Sequence, residues 1–293
     1  MRSTTARGGA AAASGVSLGT GRVGGLSFSL AQVVREGLGI VTRRGPFAAW
    51  AGLLVVFCSG AVFGACAPRT FDGADFTVCV FAPGHDDIRL FWKGADGKPY
   101  GSLSALASNL SAKSERLVFA MNAGMFGEDQ SPVGLYVENR TKVHGADTRG
   151  GASNFHLKPN GVFWIGDGVA GVAETSRYLA SPPAARFATQ SGPMLVVEGR
   201  IHPKILPNGT SAKIRNGVGI GAGGAVFFAI AEEPVTFDKF ARLFRDGLGC
   251  ANALFLDGSV SSLYAPELKR DDELGPIGPI VGVVKPDAVG SSK

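Results

Sequence analysis

The chain has 293 residues, and its 29 basic and 24 acidic side chains give a formal charge of +5 at pH 7. Six arginines and one glutamate precede Pro68, so 23 basic and 23 acidic residues remain in the rest of the chain. Because that larger part is neutral, nucleic acid has no electrostatic reason to bind it, and we exclude this class of partner.

The first 67 residues predict an N-terminal targeting region in two parts. Residues 1–45 are rich in Gly, Ala, Ser and Arg and lack apolar periodicity, which predicts a disordered basic leader. Residues 46–67 contain no charged side chain and follow Arg43 and Arg44 directly. A basic flank before an apolar run predicts a signal peptide, and the run is also long enough for a membrane anchor.

The end of this region leaves several alternatives open. Ala65-Cys66-Ala67 fits a cleavage site, with maturation after Ala67. Cys66 could instead be lipidated, or the apolar run could remain as an anchor. The leader is unusually long, so a translation start near Val41 is an alternative to Met1. In each case we expect an exported protein (periplasmic, secreted or anchored facing outward) that contacts a membrane only through an uncleaved anchor.

Two of the four cysteines, Cys79 and Cys250, lie beyond this region, in segments that are predicted to be strands or to lie next to strands. An even pair of cysteines outside the cytoplasm predicts a Cys79–Cys250 disulfide, and two separate buried thiols are the alternative. The chain has no C-x-x-C motif and no paired histidine spacing, so the cysteines do not indicate a metal site.

The rest of the chain predicts many short strands and two helices. The strand segments are rich in Val, Ile and Phe and are bounded by Gly, Pro, Asn or Asp: 76–81, 88–92, 117–121, 133–137, 162–165, 194–197, 218–220, 225–231, 253–256 and 280–284. Apolar spacing predicts helices at 102–111 and 237–247, the second with Thr236 as N-cap. This pattern predicts an α+β fold, a single domain with a large mixed or antiparallel sheet and a few helices.

The segment 253–264 contains the leading candidate for a functional group. Its apolar run ends abruptly at Asp257-Gly258 and is followed by Ser259-Val-Ser-Ser262. A rigid strand that ends in a carboxylate is a common way to hold a catalytic group at an open edge. An Asp-Gly turn before another strand is the alternative.

Several other strand segments are flanked by polar residues next to glycine. Asn122-Ala-Gly, Gln190-Ser-Gly and Arg215-Asn-Gly follow this pattern, and His156 and Lys158 lie close to the Asn-Gly pair at 160–161. Amide and guanidinium groups recognise sugar hydroxyls and phosphate oxygens by directed hydrogen bonds. Each has a structural alternative, because Asn122 could cap a turn, Arg215 could be a solvated charge and His156 could be an ordinary strand residue.

Taken together, these motifs resemble the phosphodiester glycosidase family. Six of them occur in the family's order, namely Asn122-Ala-Gly-Met-Phe, Pro132-Val-Gly-Leu-Tyr, Asn160-Gly-Val-Phe, Gln190-Ser-Gly-Pro-Met-Leu, Arg215-Asn-Gly-Val-Gly and Ala253-Leu-Phe-Leu-Asp-Gly-Ser. The family includes the catalytic domain of the lysosomal uncovering enzyme, which removes N-acetylglucosamine from a phosphodiester, and many exported bacterial proteins. The resemblance covers residues 76–285 and implies a family domain over 68–293.

The resemblance implies a hydrolase of sugar-1-phosphodiesters. This chain departs from the lysosomal branch of the family, which has Gly-Gly-Ser after the Asp-Gly pair. Asp257 is expected to act on water or on the anomeric carbon, Arg215 to bind phosphate, and Asp129 to be a second carboxylate. The expected substrate-binding residues are Asn122, Gln190, Gly192, His156, Lys158, Asn216, Gly258 and Ser259. No cofactor is certain, although Asp257 and Asn122 could share a divalent cation. The partner is a sugar phosphate or polysaccharide. A carbohydrate-binding envelope protein and a glycosyl-phosphate transferase remain alternatives.

Overall fold

A computed structural model of the protein describes residues 64–287. The predicted leader, most of the apolar run before Gly64 and the alternative start near Val41 lie outside these residues. The described strands are β1 Ala65–Phe71, β2 Ala74–Phe81, β3 Asp87–Phe91, β4 Glu115–Asn122, β5 Tyr136–Glu138, β6 Thr141–His144, β7 Gly161–Ile165, β8 Ala170–Glu174, β9 Phe187–Ser191, β10 Met194–Val197, β11 Arg200–Ile201, β12 Asn216–Ile220, β13 Val226–Ala231, β14 Asn252–Asp257, β15 Leu263–Ala265, β16 Arg270–Asp271 and β17 Ile280–Pro286. The α-helices are α1 Leu103–Ser111, α2 Thr175–Ala180 and α3 Phe237–Arg242.

The strands of the described region form three sheets. One has seven strands in the order β1-β2-β13-β12-β14-β10-β11, the second has the order β16-β15-β4-β17-β3, and the third has the order β6-β5-β9-β7-β8. The recorded strand pairs are antiparallel. The predicted α+β class is confirmed, and its strands are shared among three sheets of one compact unit.

The helices follow local signals in the sequence. The Ser102 side chain accepts a hydrogen bond from the Ala105 amide and caps α1, and Thr236 caps α3 in the same way through Lys239. Such caps satisfy amides that have no partner within the helix. The segment predicted as one helix at 237–247 is divided, because α3 is followed by a π-helical turn over Leu243–Gly247. This turn leads directly towards β14.

An aromatic cluster joins the three sheets in the core. Phe119 of β4 lies 5.0 Å from Phe81 of β2 and 4.9 Å from Phe228 of β13, measured between ring centroids. Phe163 of β7 meets Phe228 edge to face at 5.7 Å. All four rings are buried. Since burying an aromatic side chain removes a large apolar area from water, this cluster is a major reason that the sheets pack together.

The predicted Cys79–Cys250 disulfide is wrong, because Cys79 is bonded to Cys66. Strands β1 and β2 form a hairpin in which Cys66 and Cys79 are directly opposite, so their side chains meet across the ladder. Cys250 is a buried free thiol, and burial raises its pKa to about 12. Cleavage after Ala67 would remove Cys66 and with it half of the disulfide.

The described residues contain no helix that combines the length and the hydropathy needed to cross a membrane.

Candidate functional site

A cleft of about 550 Å³ lies where the ends of β4 and β14 approach the loop formed by residues 145–158. Its walls are mainly apolar, with two ionisable side chains, Asp257 and His156. The lining residues are Met125, Phe126, Val133, Ser153, Phe155, His156, Asp257, Ser259, Val260 and Pro276. A concave apolar site with few polar groups is the usual form of a small-molecule site. Other cavities of similar size occur in the described region, and this one is singled out by Asp257.

The Asp257 carboxylate is buried at the end of β14, and both of its oxygens accept hydrogen bonds. Oδ1 accepts from the backbone amides of Gly258 at 2.5 Å and Ser259 at 2.8 Å. Oδ2 accepts from Asn122 Nδ2 at 2.9 Å. Burial raises the pKa of Asp257, since these hydrogen bonds to the charged form only partly offset the loss of hydration. Gly258 and Ser259 therefore fix the carboxylate through their amides.

Two buried asparagines form an amide bridge between the seven-stranded sheet and the β4 sheet. Asn216 Nδ2 donates to the Asn122 side-chain oxygen at 2.8 Å and to its backbone carbonyl at 2.9 Å. Asn216 Oδ1 accepts from the Asp257 amide at 2.8 Å, and Asn122 Oδ1 also accepts from the Ser262 amide at 3.1 Å. These two side chains, which the sequence assigned to the substrate, instead hold Asp257 in place.

Arg215 lies beneath the Asp257 turn and is almost completely buried, at 1% exposure. Its Nε donates to the Val235 carbonyl at 3.0 Å and its Nη2 to the Ser211 carbonyl at 2.8 Å. The guanidinium stacks on Phe237, 3.6 Å from the ring centroid. Burial lowers the pKa of Arg215 to about 10. These contacts place Arg215 behind the cleft wall, and it is not among the lining residues.

His156 faces the cleft and is oriented from both ring nitrogens. Nε2 lies 3.1 Å from Asp147 Oδ2, and Nδ1 lies 2.8 Å from Ser153 Oγ. Asp147 is buried, and the hydrogen bond from Arg149 is the main reason that its pKa is far below the usual range. The Asp147 carboxylate and the Ser153 hydroxyl therefore fix the orientation of the imidazole ring.

Gln190 holds this loop from below and does not reach the cleft. Its Oε1 accepts from the amides of Leu135 and Asp147, each at 3.0 Å, and its Nε2 donates to the Asp147 carbonyl at 2.7 Å. The amide is thus fully engaged within the protein. Gln190 therefore positions the segment that carries Asp147 and His156, a role that its sequence motif did not reveal.

Gly192 also supports this loop. A Cβ at Gly192 would lie 2.7 Å from the Asn160 Cβ and 2.9 Å from the Phe155 carbonyl oxygen, so a larger residue would displace the loop.

Lys158 and Asp129 are not among the residues that line the cleft. Lys158 Nζ donates to the Thr148 carbonyl at 2.5 Å. Asp129 is exposed, and its Oδ1 accepts from the side chain and the amide of Ser131, which lowers its pKa. It closes its own turn, and we do not retain it as a second carboxylate.

Sequence reasoning missed Asp147 and Ser153. Both lie in a polar, Gly-rich loop without strand or helix periodicity, where no local signal distinguishes a functional side chain from a solvated one. The serines after Asp257 have structural roles, since Ser261 Oγ donates to the Asp257 carbonyl and Ser262 Oγ to that of Val260.

Asp257 and Asn122 were predicted as the residues that could share a divalent cation. Asn122 presents its NH₂ group to Asp257, while its oxygen is occupied by two donors. The pair therefore does not fit a shared cation, and the described residues hold no group of three or more His, Cys, Asp or Glu suited to a metal.

The chain is similar to known proteins in sequence and in fold. The family model described as phosphodiester glycosidase matches residues 115–283, which include Asn122, the 145–158 loop and Asp257. The uncharacterized protein YigE of Escherichia coli strain K12 is 35% identical over 182 residues, 62% of this chain and 71% of that protein.

The likeness at the level of fold is shown by one solved structure. The catalytic domain of zebrafish N-acetylglucosamine-1-phosphodiester alpha-N-acetylglucosaminidase, auto-inhibited by its pro-peptide, matches with a TM-score of 0.52 and 15% identity, over 75% of this chain and 81% of that one. A hypothetical protein from Synechocystis matches with a TM-score of 0.48 and 14% identity, over 75% of this chain and 61% of that one. This chain thus spans less than two thirds of the Synechocystis protein.

Proposed function

The chain belongs to the phosphodiester glycosidase family, and from this we propose that it hydrolyses the bond between the anomeric carbon and the phosphate oxygen of a sugar-1-phosphodiester. The observation that carries the proposal is the pairing of one buried carboxylate, Asp257, with one oriented imidazole, His156, in a single apolar cleft. Water is added across the broken bond: its oxygen joins the anomeric carbon, and a proton joins the phosphate oxygen.

Asp257 is proposed to act at the anomeric carbon. The positive charge that develops there is stabilised by an ionised carboxylate, which can also accept a proton from the attacking water. Its hydrogen bonds come from rigid backbone amides and from Asn122, so the carboxylate needs little rearrangement as the reaction proceeds. The apolar wall, with Phe126 and Phe155, excludes water from the rest of the sugar.

His156 is proposed to bind the phosphate and to donate a proton to it. Phosphate is a good leaving group, so one modest acid is sufficient and a second carboxylate is not required. Asp147 acts as a positioning residue, because its Oδ2 holds the imidazole ring through Nε2. The proton comes from Nδ1, and the phosphate oxygen takes the place of Ser153 Oγ as the partner of that nitrogen.

We also propose that the domain works outside the cytoplasm. The Cys66–Cys79 disulfide is the support, since such bonds persist in oxidising compartments. This bond uses the Cys66 thiol that lipidation would require, and it needs Cys66 to stay with the domain. The proposal therefore favours a retained anchor, or a cleavage upstream of Cys66.

The test is a panel of sugar-1-phosphodiesters incubated with the purified protein, with release of reducing sugar and phosphomonoester as the measurement. Asp257→Asn and His156→Gln should each lower kcat by about 10²- to 10⁴-fold. His85→Gln changes an exposed histidine that does not line the cleft, and it serves as the matched control.

Three outcomes would contradict the proposal. Full activity of Asp257→Asn would remove Asp257 from the mechanism. Binding without turnover over the panel would favour a non-catalytic carbohydrate-binding protein. Product formed only when an acceptor sugar is present would favour a transferase.

A further inference from the structure

A cavity of about 390 Å³ is lined by residues of β3, α1, β4, β5 and β9 and of the loops beside them. It shares no lining residue with the Asp257 cleft. Basic side chains outnumber acidic ones in its wall, with four of the first kind and two of the second. These charged residues are Arg89, Lys93, Lys113, Arg186, Glu115 and Glu138.

Arg89 and Glu115 neutralise each other, so this pair gives the cavity no free charge. Arg89 Nη1 donates to Glu115 Oε1 at 2.9 Å, and Arg89 Nη2 donates to Asp87 Oδ2 at 2.5 Å. Glu138 is the other acid of the wall, and its Oε2 accepts from the Tyr136 hydroxyl at 2.8 Å. The wall therefore retains one carboxylate against three basic side chains.

Arg186 is the main candidate to bind a ligand, because its guanidinium makes no hydrogen bond within residues 64–287. Two carboxylate oxygens, on Asp87 and Asp167, each lie 3.9 Å from it, which is beyond hydrogen-bonding distance. Both of these acids are already paired with another arginine. The Arg186 side chain is 36% exposed and packs over the Phe187 ring, so its N–H groups are free to donate to a ligand.

Lys93 and Lys113 add exposed positive charge to the same wall. Neither ammonium has a salt-bridge partner in the part of the chain that the structure describes. Lys93 Nζ lies 4.0 Å from the centroid of the Trp92 ring, a contact that holds the ammonium without neutralising it. Three cations with no close anionic partner make this cavity suited to a negatively charged group.

We propose that this cavity binds an acidic saccharide whose phosphate or carboxylate group is held by Arg186 and attracted by Lys93 and Lys113. The planar guanidinium fits the paired oxygens of either anion, and the ammonium groups act at longer range. A volume of about 390 Å³ is enough for one sugar ring. The preference for an anion rests on the charges alone, whereas the choice of a saccharide rests on the proposed function.

Calorimetric titration of the full chain tests this site by comparing glucose 6-phosphate and glucuronic acid with neutral glucose. At least one acidic sugar should bind about 10-fold more tightly than glucose, and the tighter of the two identifies the anion. Arg186→Gln should remove most of this preference. Arg200→Gln, at an exposed arginine that does not line the cavity, is the matched control and should keep it. Equal binding of acidic and neutral sugars, or an unchanged preference in Arg186→Gln, overturns the site.

Two further titrations separate this site from the cleft and from binding of any small anion. Asp257→Asn, which should slow hydrolysis, should keep the preference for the acidic sugar, and its loss there would place the ligand in the cleft and overturn the inference. Inorganic phosphate should bind more weakly than the acidic sugar, and equal affinity would overturn the assignment to a saccharide. A preference that Arg186→Gln removes supports the site even if no diester is hydrolysed, because the titration needs no turnover.

Discussion

Replacing Asn216 with Ala should both destabilise the fold and displace the Asp257 carboxylate. The Asn216 side chain makes three buried hydrogen bonds, two to Asn122 and one from the Asp257 amide. Each buried polar group left without a partner costs about 1–3 kcal/mol. The Asp257 amide loses its partner, and the Asn122 oxygens lose a donor, so we expect the free energy of unfolding to fall by about 2–5 kcal/mol. That is a large part of the stability of a typical domain, roughly 5–15 kcal/mol.

The same substitution should lower kcat, because Asn216 connects the two strand ends that form the site. A catalytic group displaced by about 1 Å can cost about 100-fold in rate. Urea denaturation followed by fluorescence measures the stability, and hydrolysis of the best diester from the panel measures the rate. Asn208→Ala, in an exposed loop, is the matched control and should change stability by less than about 0.5 kcal/mol.

The isosteric Asn216→Asp separates shape from hydrogen bonding at this position. It keeps an acceptor for the Asp257 amide but loses the donor to Asn122, and it adds a negative charge near Asp257. We expect a lower kcat and a still higher pKa for Asp257. If Asn216→Ala behaved like Asn208→Ala in both stability and rate, the role of the amide bridge would be refuted.

Three further predictions follow from the described contacts. Peptide mapping without reduction should recover Cys66 linked to Cys79, and a Cys79–Cys250 peptide would contradict the structure. Cys79→Ser should lower the free energy of unfolding by about 3 kcal/mol, as expected for a disulfide that closes a short loop. Arg215→Ala should lower the free energy of unfolding by about 3 kcal/mol, because it removes a buried stacked group and leaves the Val235 and Ser211 carbonyls without their donor. A raised KM with unchanged stability would instead indicate that Arg215 binds the phosphate. Because burial raises the pKa of Asp257, kcat/KM should fall on acidification with a midpoint above the ordinary aspartate value of about 3.9. The same raised pKa means that protonation of Asp257 stabilises the folded state at low pH, and this contribution is lost as pH rises through the raised pKa. An acid limb of kcat/KM at or below the ordinary value would show that Asp257 is not the ionised group.

The sequence by itself determined the class of fold and the place of the main catalytic candidate. Continuous apolar runs such as β10 and β14 have few alternatives to a buried strand, and Thr236 with the apolar spacing after it is a complete local signal for the start of α3. The abrupt change at Asp257 is also local, since it needs only the end of a strand and a turn. The ordered motifs placed the chain in its family before any contact was known.

Only the tertiary structure decided which side chains meet. Asn122 and Asp257 are 135 positions apart, and the strands that bring them together belong to different sheets. Cys66 pairs with Cys79 because the β1–β2 register places them opposite each other, which neither cysteine count nor spacing specifies. Arg215, read as a phosphate ligand, lies behind the cleft because Phe237 and two backbone carbonyls surround it. Composition and periodicity report the preference of each segment for helix, strand or turn. Strand register, sheet packing and the closure of long loops decide which distant residues come into contact, and the site of this protein is assembled from such contacts.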